Sequence, residues 1–378
     1  MTENQVYDMA ITGGGLAGLS LAIQSANAGY STVLFEKEHY PFHKVCGEYI
    51  SMESWPFLER LGIPLGNLQL PRISQLEVSD VKGRLYHFPL DTGGFGISRF
   101  KLDQLLYQAA LQKGATIHTQ SKVNSINFSD DTFTIQTAQH TVQARLATGS
   151  FGKRSNLDIQ WKRPFIQNRP GKLNQYIAVK YHIRYPQPAN TITLHNFENG
   201  YCGISRIEDD TCCLCYLTTA ANLAAGQSIA GMEERFLFHN PHLQRIFSEA
   251  IFLYEQPLTI SQVSFQQKEQ VLNHVLLTGD AAGLITPLCG NGMSMALHAS
   301  KLAFEAAIPF LNNTCSRATM EAVYTTQWQQ QFGKRLATGR AVQRLFGGNI
   351  TTSLFLGLMG LCKPAARSLI RATHGHTF

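Results

Sequence analysis

A glycine-rich segment near the start of the chain, residues 13–18 with the sequence GGGLAG, constrains the fold more than any other feature. It follows an apolar run at residues 6–11 and precedes a second run, residues 32–36, that ends in an acid. Gly13 permits a tight turn, Gly15 lets a pyrophosphate approach the backbone, and Gly18 lets the next helix pack against the strand. This context predicts a dinucleotide-binding βαβ unit.

The helix and the acid after this segment define the kind of nucleotide. A helix over residues 16–28 would direct free N–H groups at the phosphates. Glu36 lies where a carboxylate accepts hydrogen bonds from ribose hydroxyls, and it would repel the additional phosphate of NADP. The pattern therefore indicates an adenosine diphosphate moiety and leaves NAD and FAD open.

Composition limits the class of protein. With 378 residues, 44% hydrophobic and 10% aromatic, the chain can bury a large core and form two or three domains of mixed fold. No apolar run is long enough to span a bilayer, and the first strand begins almost at once, so we expect a cytoplasmic protein without a signal peptide. Cys212, Cys213 and Cys215 lie in an apolar run, and we predict neither disulfides nor a metal site.

Local patterns predict how the chain is divided. Helical spacing of apolar residues favours helices over 54–61 and 100–114, and residues 70–98 are typical of sheet. Short strands are expected near 115–119, 121–128, 132–137 and 141–148. Residues 170–265 read as mostly strand, with one helix near 229–238. The chain thus reads as a nucleotide domain interrupted by two sheet-rich insertions.

A second motif occurs far along the chain, at residues 276–283 and 287–293. An apolar strand delivers Asp280 at its carboxyl end, and a glycine-rich turn opens a helix over residues 293–307. The acid can hold a hydroxyl of the cofactor, and the helix N-terminus can stabilise an anionic ring. A reduced flavin carries such a charge and a nicotinamide does not, so this motif favours FAD.

Together these motifs resemble the family of FAD-dependent aromatic hydroxylases, flavin-dependent halogenases and geranylgeranyl reductases. The segment 44–48 (KVCGE) is most similar to the geranylgeranyl-reductase branch. The resemblance implies an α/β, p-hydroxybenzoate-hydroxylase-like fold, with a Rossmann-like FAD-binding domain, a sheet-rich substrate domain and a C-terminal helical segment. We assign residues 1–70, 99–155 and 268–315 to the first, 71–98 and 156–267 to the second, and 316–378 to the third.

The resemblance also implies cofactor contacts. Lys44 and Cys46 would lie beside the flavin, and Arg99 at a helix start would reach the cofactor. Thr148 and Gly149 stand where many relatives have an Asp-Gly pair, a departure that puts direct handling of NAD(P)H in doubt. The predicted cofactor-binding residues are Gly13, Gly14, Gly15, Leu16, Ala17, Gly18, Glu36, Lys37, Lys44, Cys46, Arg99, Val123, Thr148, Gly149, Gly279, Asp280, Pro287, Gly290, Asn291, Gly292 and Met293.

Three functions stay open. The first is an FAD-dependent monooxygenase acting on a hydrophobic aromatic or polyketide-like metabolite. The second is a reductase that saturates C=C bonds of an isoprenoid lipid, and the third is a flavin-binding protein without turnover. The chain lacks the Trp-x-Trp-x-Ile-Pro segment of the halogenases, which disfavours halogenation. No second dinucleotide fingerprint is present, so NAD(P)H would bind transiently or act through a separate reductase.

No catalytic side chain is assigned, and four residues are weak candidates. Cys46 and His43 lie in the loop after the nucleotide unit. Tyr201 remains from the Tyr-x-Trp-x-Phe-Pro strand that lines the lipid pocket of the reductases, but the other motif residues are replaced. Arg206, close by, could meet a polar or anionic group of a substrate.

The C-terminal segment is basic. After Glu321 the chain has no acid, while Lys363, Arg367 and Arg371 recur at a spacing of four beside the apolar run 354–362. This one-sided charge would attract either an anionic membrane, to which the protein would bind peripherally, or an acidic carrier protein that bears the substrate. A solvated helix packed on the protein body is the plainer alternative. Nucleic acid is not expected, because no aromatic residues are interleaved with the charges.

Overall fold

The computed structural model describes residues 6–167 and 176–378, which form two β-sheets with helices packed around them. The strands are β1 (Val6–Thr12), β2 (Thr32–Phe35), β3 (Tyr49–Ser51), β4 (Arg72–Ser79), β5 (Leu85–Gly96), β6 (Thr116–His118), β7 (Ser125–Ser129), β8 (Thr132–Gln136), β9 (Thr141–Gly149), β10 (Tyr176–Arg184), β11 (Thr191–Phe197), β12 (Gly200–Arg206), β13 (Cys212–Thr219), β14 (Ile251–Phe252), β15 (Leu258–Val263), β16 (Val271–Leu272) and β17 (Val275–Leu277).

Twelve α-helices lie in the same described residues. They are α1 (Leu16–Asn27), α2 (Trp55–Arg60), α3 (Arg99–Gln112), α4 (Asn156–Gln160), α5 (Pro164–Gln167), α6 (Ala220–Gly226), α7 (Ile229–Met232), α8 (Pro241–Glu249), α9 (Gly292–Leu311), α10 (Arg317–Gln343), α11 (Asn349–Leu361) and α12 (Lys363–Thr373).

The first sheet has a parallel centre. Its strand order is β16-β17-β9-β1-β2-β6, and β7 and β8 form an antiparallel extension beside β9. In β1, the side chains of Met9, Ala10 and Ile11 are all buried. A parallel strand covered on both faces needs apolar residues at successive positions, which explains the unbroken apolar run. The register places Thr12 beside Gly149, and Gly149 beside Leu277, so the carboxyl ends of β1, β9 and β17 meet at one edge.

The second sheet is mostly antiparallel. Its order is β14-β10-β13-β12-β11-β4-β5-β3, with β15 also paired to β10. The sheet expected over residues 170–265 is therefore present from β10 onward, while residues 170–175 lie outside the described residues. β3 falls within the segment 1–70 that the sequence assigns to the FAD-binding domain, yet it pairs with β5 of this second sheet. The domain boundaries themselves stay a prediction.

Helices α1, α3, α9 and α10 cover the first sheet. α1 lies between α3 and α9, and α9 also contacts α10. Nine of the twelve residues of α1 are buried, because helices and sheet enclose it. Thus the helix that begins at the glycine-rich segment is a central element of the core.

The helix predicted near residues 229–238 is present, but it does not stand alone. It consists of α7 followed by a wide π turn at Glu233–Leu237, and two helices that the sequence does not predict, α6 and α8, flank it. The side chain of Asn240 caps α8 by accepting from the backbone N–H of His242 at 3.0 Å, and Pro241 occupies the first turn. An Asn-Pro pair is a usual helix start, so this helix could have been predicted from the sequence.

The C-terminal segment consists of α11 and α12, which meet at a bend of 110°. Within the described residues no single helix is long and apolar enough to cross a membrane, and this bent pair alone meets that test of length and composition. α12 contacts β5 and α10, so the pair is attached to the body of the protein.

Packing at the glycine-rich segment gives a test of the fold. A Cβ on Gly18 would lie 2.0 Å from the carbonyl oxygen of Gly13. We expect Gly18→Ala to lower the free energy of unfolding by about 1–3 kcal/mol, because overpacking forces the backbone to shift. Urea denaturation measures this loss. Gly66→Ala is the control, since its Cβ would have no atom within 4 Å, and an equal loss in both variants would contradict the close packing.

Candidate active site

The glycine-rich segment forms a tight turn between β1 and α1. Gly13 has a φ of +103°, and a Cβ there would lie 2.5 Å from the carbonyl oxygen of Ser150. A Cβ on Gly15 would meet only the tips of two cations, Nη2 of Arg99 at 3.8 Å and Nζ of Lys44 at 3.9 Å. The backbone at Gly15 therefore faces a small space bordered by positive charge, as the sequence predicts for a pyrophosphate.

A buried acid holds these two cations together. Asp103 in α3 accepts from Nε and Nη2 of Arg99 at 2.8 and 2.9 Å, and it lies 2.9 Å from Nζ of Lys44. Burial alone would raise the pKa of Asp103, but Arg99 and Lys44 lower that pKa below its usual value. Asp103 therefore stays ionised, and the two cations together exceed its charge by one.

The other side of the turn presents an acid. Glu36 directly follows β2, is buried, and accepts from the backbone N–H of Gly14 at 2.7 Å and of Glu38 at 3.0 Å. The hydroxyl of Tyr40 donates to the carbonyl of Gly14 at 2.5 Å. Each carboxylate oxygen can accept a further hydrogen bond, so Glu36 keeps capacity for ribose hydroxyls. No side chain caps the N-terminus of α1, so its N–H groups are open to an anion.

The Asp280 turn is held through its backbone. The consecutive carbonyls of Asp280, Ala281 and Ala282 accept from Nζ of Lys268 at 2.8 Å, Nη1 of Arg163 at 2.9 Å and Nε2 of Gln270 at 3.2 Å. No side chain among the described residues hydrogen-bonds the carboxylate of Asp280. Burial raises the pKa of Asp280 and lowers the pKa of Lys268 to about 8. The turn is thus fixed while its carboxylate is left for another partner.

The second glycine-rich turn opens α9. A 3₁₀ turn, Pro287–Cys289, leads through Gly290, with φ of +62°, to Asn291, whose side chain does not cap the helix. The Oδ1 of Asn291 and the hydroxyls of Ser294 and Thr148 are buried without a hydrogen-bond partner. Buried polar atoms of this kind normally have partners, so they indicate a place for a polar ligand.

The thiol of Cys46 meets this helix start. Its Sγ lies 3.5 Å from Sδ of Met293 in the first turn of α9. Cys46 is partly buried, and burial raises the pKa of its thiol. The fold therefore brings the 44–48 segment to the second glycine-rich turn, two regions that lie far apart in the sequence.

These features fit FAD. The space at Gly15 with Arg99 and Lys44 suits the pyrophosphate, and Glu36 suits the adenosine ribose. Asp280 offers an acceptor for the hydroxyl-bearing chain between phosphate and ring. The uncapped start of α9 and the unpartnered atoms of Asn291 and Ser294 suit the polar edge of the flavin.

A chain of hydrogen bonds runs behind the Cys46 loop. The hydroxyl of Tyr254 lies 3.0 Å from Nδ1 of His43 and 2.7 Å from Nδ1 of His182. Nε2 of His182 lies 2.6 Å from Glu48, and Glu48 also forms a short ion pair with Lys180. Burial would raise the pKa of Glu48, but the hydrogen bond from His182 and the charge of Lys180 lower it. His43 thus has partners that its sequence context does not reveal.

Part of this chain has a composition that could suit a metal ion. Glu48, His182 and Cys213 place one ligand atom each within 4.8 Å of one another. The oxygens of Glu48 already bind Lys180 and His182, and the ammonium group of Lys180 would repel a cation. We therefore interpret the group as a hydrogen-bonded network.

A large apolar cavity lies between the second sheet, the Pro287–Cys289 turn and the C-terminal helices. It encloses about 860 Å³, its mouth included. Among the described residues, no Asp, Glu, Lys or Arg lines it, and its polar groups include Tyr49, Thr373 and His374. The hydroxyl of Tyr49 is buried without a partner. Its apolar walls are formed mainly by Leu76, Val78, Phe88, Leu90, Ile192, Leu194, Phe355, Leu356, Met359, Leu369 and Ile370.

The remaining predicted residues lie at the edges of this arrangement. Tyr201 is buried and packs against Phe346, which lines the cavity. Arg206 does not line the cavity, and its guanidinium pairs with Asp210 in the turn after β12. Lys37 is exposed and pairs with Glu38, whereas Val123 is buried. Arg206 is therefore not placed to meet a substrate in this cavity.

Sequence comparisons find matches at the N-terminus and along most of the chain. A family model described as an FAD binding domain matches residues 8–43. Conditioned medium factor receptor 1 of Dictyostelium discoideum is 23% identical, over 97% of this chain and 74% of that protein. Digeranylgeranylglycerophospholipid reductase 2 of Methanopyrus kandleri is 22% identical, over 90% of this chain and 86% of that protein.

Solved structures are similar over nearly the whole chain. A triple mutant of the flavin-dependent brominase Bmp2 superposes with a TM-score of 0.80 at 17% identity, covering 98% of this chain and 95% of that one. The chain has the fold of the FAD-dependent oxidoreductases. A geranylgeranyl bacteriochlorophyll reductase-like protein of Thermoplasma acidophilum has a TM-score of 0.75 at 16% identity, with coverages of 98% and 92%. The predicted resemblance and fold class of this flavoprotein are confirmed.

Loss of colour tests the cofactor site. We expect Gly15→Val and Glu36→Ala to be purified without the yellow absorbance of FAD, whereas the parent is yellow. The valine side chain would fill the space beside Arg99 and Lys44, and the alanine removes the ribose acceptor. Absorbance spectra of equal amounts of folded protein measure the effect, with Gly66→Ala as a coloured control. Full FAD content in Gly15→Val would contradict the assignment.

The Glu48 network gives a prediction of stability. Lys180 and Glu48 are both fully buried, so removing one partner leaves an unpaired charge in the core. We expect Glu48→Gln to lower the free energy of unfolding by about 3–5 kcal/mol. The pair Glu48→Gln with Lys180→Met should lose less than the sum of the two single variants. Urea denaturation of all four proteins measures the coupling, and strict additivity would show that the pair does not interact.

Proposed function

We propose that this chain is an FAD-dependent oxidoreductase that acts on an uncharged, hydrophobic substrate bound in the apolar cavity. The observation that carries the proposal is the position of that cavity. Pro287, Leu288, Cys289 and Gly290 line it, and these residues lead directly into the helix start that fits the flavin. A substrate in the cavity would therefore lie next to the reactive end of the cofactor.

The lining defines the substrate class. Since the described residues that line the cavity include no Asp, Glu, Lys or Arg, binding a charged group there would cost several kcal/mol of desolvation free energy, with no ion pair from these residues to compensate. Apolar chains or rings incur no such cost, and their burial is favourable. Tyr49 and Thr373 offer hydrogen bonds for one or two polar atoms. The substrate we propose is thus a lipid or a largely apolar ring system.

FAD, when bound, supplies two-electron transfer, and the residues of the chain bind the cofactor and exclude water. Arg99, Lys44 and Glu36 would hold the adenosine and phosphate end. The apolar walls would exclude water from the flavin end. Cys46, whose thiol pKa is raised by burial, keeps its proton near neutral pH beside Met293 at the start of α9. It does not line the cavity, so its thiol would lie beside the flavin rather than against the substrate.

The apolar cavity suits the isoprenoid chain of a lipid whose C=C bonds a reductase would saturate. The similarity to the digeranylgeranylglycerophospholipid reductase over 90% of this chain supports the same reaction. Monooxygenation, which the sequence favours, is the second candidate, and the similarity of fold to a flavin-dependent brominase supports it. NAD(P)H as electron donor, bound transiently or used through a separate reductase, is part of either proposal.

Assays without and with oxygen distinguish C=C reduction from monooxygenation. Protein loaded with FAD and reduced by dithionite is mixed with geranylgeraniol without air, and the products are analysed by mass spectrometry. Reductase activity adds two hydrogen atoms for each double bond that is saturated. The same assay under air, with NADPH and a separate flavin reductase, would give an added oxygen atom if the chain is a monooxygenase. Absence of both products, with geranylgeraniol and with apolar aromatic substrates, would contradict the proposed substrate class.

Two substitutions in α11 test whether the substrate binds in the cavity. Met359→Trp places a larger side chain in the cavity, and we expect turnover to fall by more than tenfold while FAD absorbance is unchanged. Leu354→Trp is the matched control, because Leu354 is 64% exposed on the same helix and does not line the cavity. With detergent-solubilised substrate it should keep the parent rate. Equal rates in both variants would place the substrate elsewhere.

A further inference from the structure

The outward face of α11 is an exposed apolar stripe. Ile350, Leu354, Leu358 and Leu361 have exposed fractions of 74%, 64%, 62% and 87%. Their spacing of four, four and three residues places them on one side of the helix. Single exposed leucines are common, but a row of four large ones marks an interaction surface. We call these four residues the apolar stripe.

The inward face of the same helix is also apolar. Phe355, Leu356 and Met359 line the cavity described above, and Leu356 is buried. α11 therefore separates the substrate cavity from the surroundings by the thickness of one helix. A helix that is apolar on both faces is suited to an environment that is apolar on both sides.

Basic residues flank the stripe. Lys363 and Arg367 are exposed on α12, which begins directly after α11, and they lie one helical turn apart on one face. Arg371, a further turn along, pairs with Asp91 at 2.8 Å. The sequence contains no acid after Glu321. The stripe and the cations thus lie on exposed faces of two consecutive helices.

Of the partners that could cover this surface, an anionic bilayer matches both of its parts. A second copy of the chain could cover the stripe, but it would bring a second set of cations to the contact. An acidic carrier protein would pair with the cations and leave the leucines in water. In a bilayer, apolar side chains enter the boundary between headgroups and acyl chains, while nearby lysines and arginines meet anionic headgroups.

We propose that α11 and the start of α12 dock the protein on an anionic membrane surface, with the apolar stripe inserted and Lys363 and Arg367 at the headgroups. This docking does not depend on the proposed reaction. If the proposed substrate class is correct, the docking also places the cavity wall at the bilayer, so that a lipid-soluble substrate can enter without crossing water.

Vesicle flotation tests the docking. FAD-loaded, full-length protein is mixed with vesicles of phosphatidylcholine alone or with about one-third phosphatidylglycerol. We expect binding to the anionic vesicles, weakened by salt. Leu354→Glu with Leu358→Glu should abolish it. Lys363→Gln with Arg367→Gln should lower the affinity roughly 30-fold, at about 1 kcal/mol for each cation.

The matched control uses another exposed apolar pair. Ile251 and Leu253, exposed by 64% and 43%, lie outside the C-terminal helices, so Ile251→Glu with Leu253→Glu should bind vesicles like the parent. Circular dichroism and FAD absorbance confirm that each variant is folded. Equal loss of binding in the control pair would overturn the assignment to the stripe.

Other results would also overturn the proposal. One is failure of the parent to bind anionic vesicles. Another is a parent protein that does not bind vesicles but forms a dimer in analytical ultracentrifugation, when the double variant Leu354→Glu with Leu358→Glu is a monomer. A third is binding of an acyl carrier protein through Lys363 and Arg367 without vesicle binding. Turnover is not part of these readouts, so loss of docking and failure of the proposed reaction can be told apart.

Discussion

The cofactor end of the molecule depends on one buried carboxylate. Moving cations such as Arg99 and Lys44 out of water costs several kcal/mol each, and an anion near by must compensate. Asp103 does so with a forked contact to Arg99 and an ion pair to Lys44. Since these cations exceed the charge of Asp103 by one, the glycine turn can attract a diphosphate while the protein remains folded.

Buried charged side chains also support the Asp280 turn, on the far side of the site. Lys268 and Arg163 are buried, and they hold the Asp280 turn by donating to backbone carbonyls. Arg163 is balanced by Asp158 at 2.9 Å, where both side chains are fully buried. The turn can therefore keep its position without using the Asp280 carboxylate. In both places structural ion pairs support the groups that a cofactor would need.

The sequence predicts the parts of this site that are local. The turn at Gly13, the acid Glu36 and the strand end at Asp280 each belong to a short motif whose spacing reflects backbone geometry. The alternation of apolar residues likewise predicts most strands of both sheets. The helices between residues 220 and 249 were predicted incompletely, although Asn240 and Pro241 mark the start of one of them.

Other parts could not be predicted in this way. Glu48, His182 and Tyr254 come together from three distant regions, and no spacing in the sequence relates them. The cavity has walls from four strands, a turn and three helices, so its apolar character belongs to no single segment. Asp103 lies one helical turn after Arg99, but its contact with Lys44 depends on how the 44–48 segment lies against α3.

One hydrogen bond joins the two ends of the cavity. The side-chain amide of Asn291, the residue before α9, donates to the carbonyl of Thr373 at the end of α12, at 2.9 Å. The outer wall of the cavity is therefore tied to the turn that would face the flavin. A displacement of α12 that carried Thr373 away from Asn291 would break this bond. Opening of the cavity wall would therefore also remove a contact that holds the turn at the start of α9.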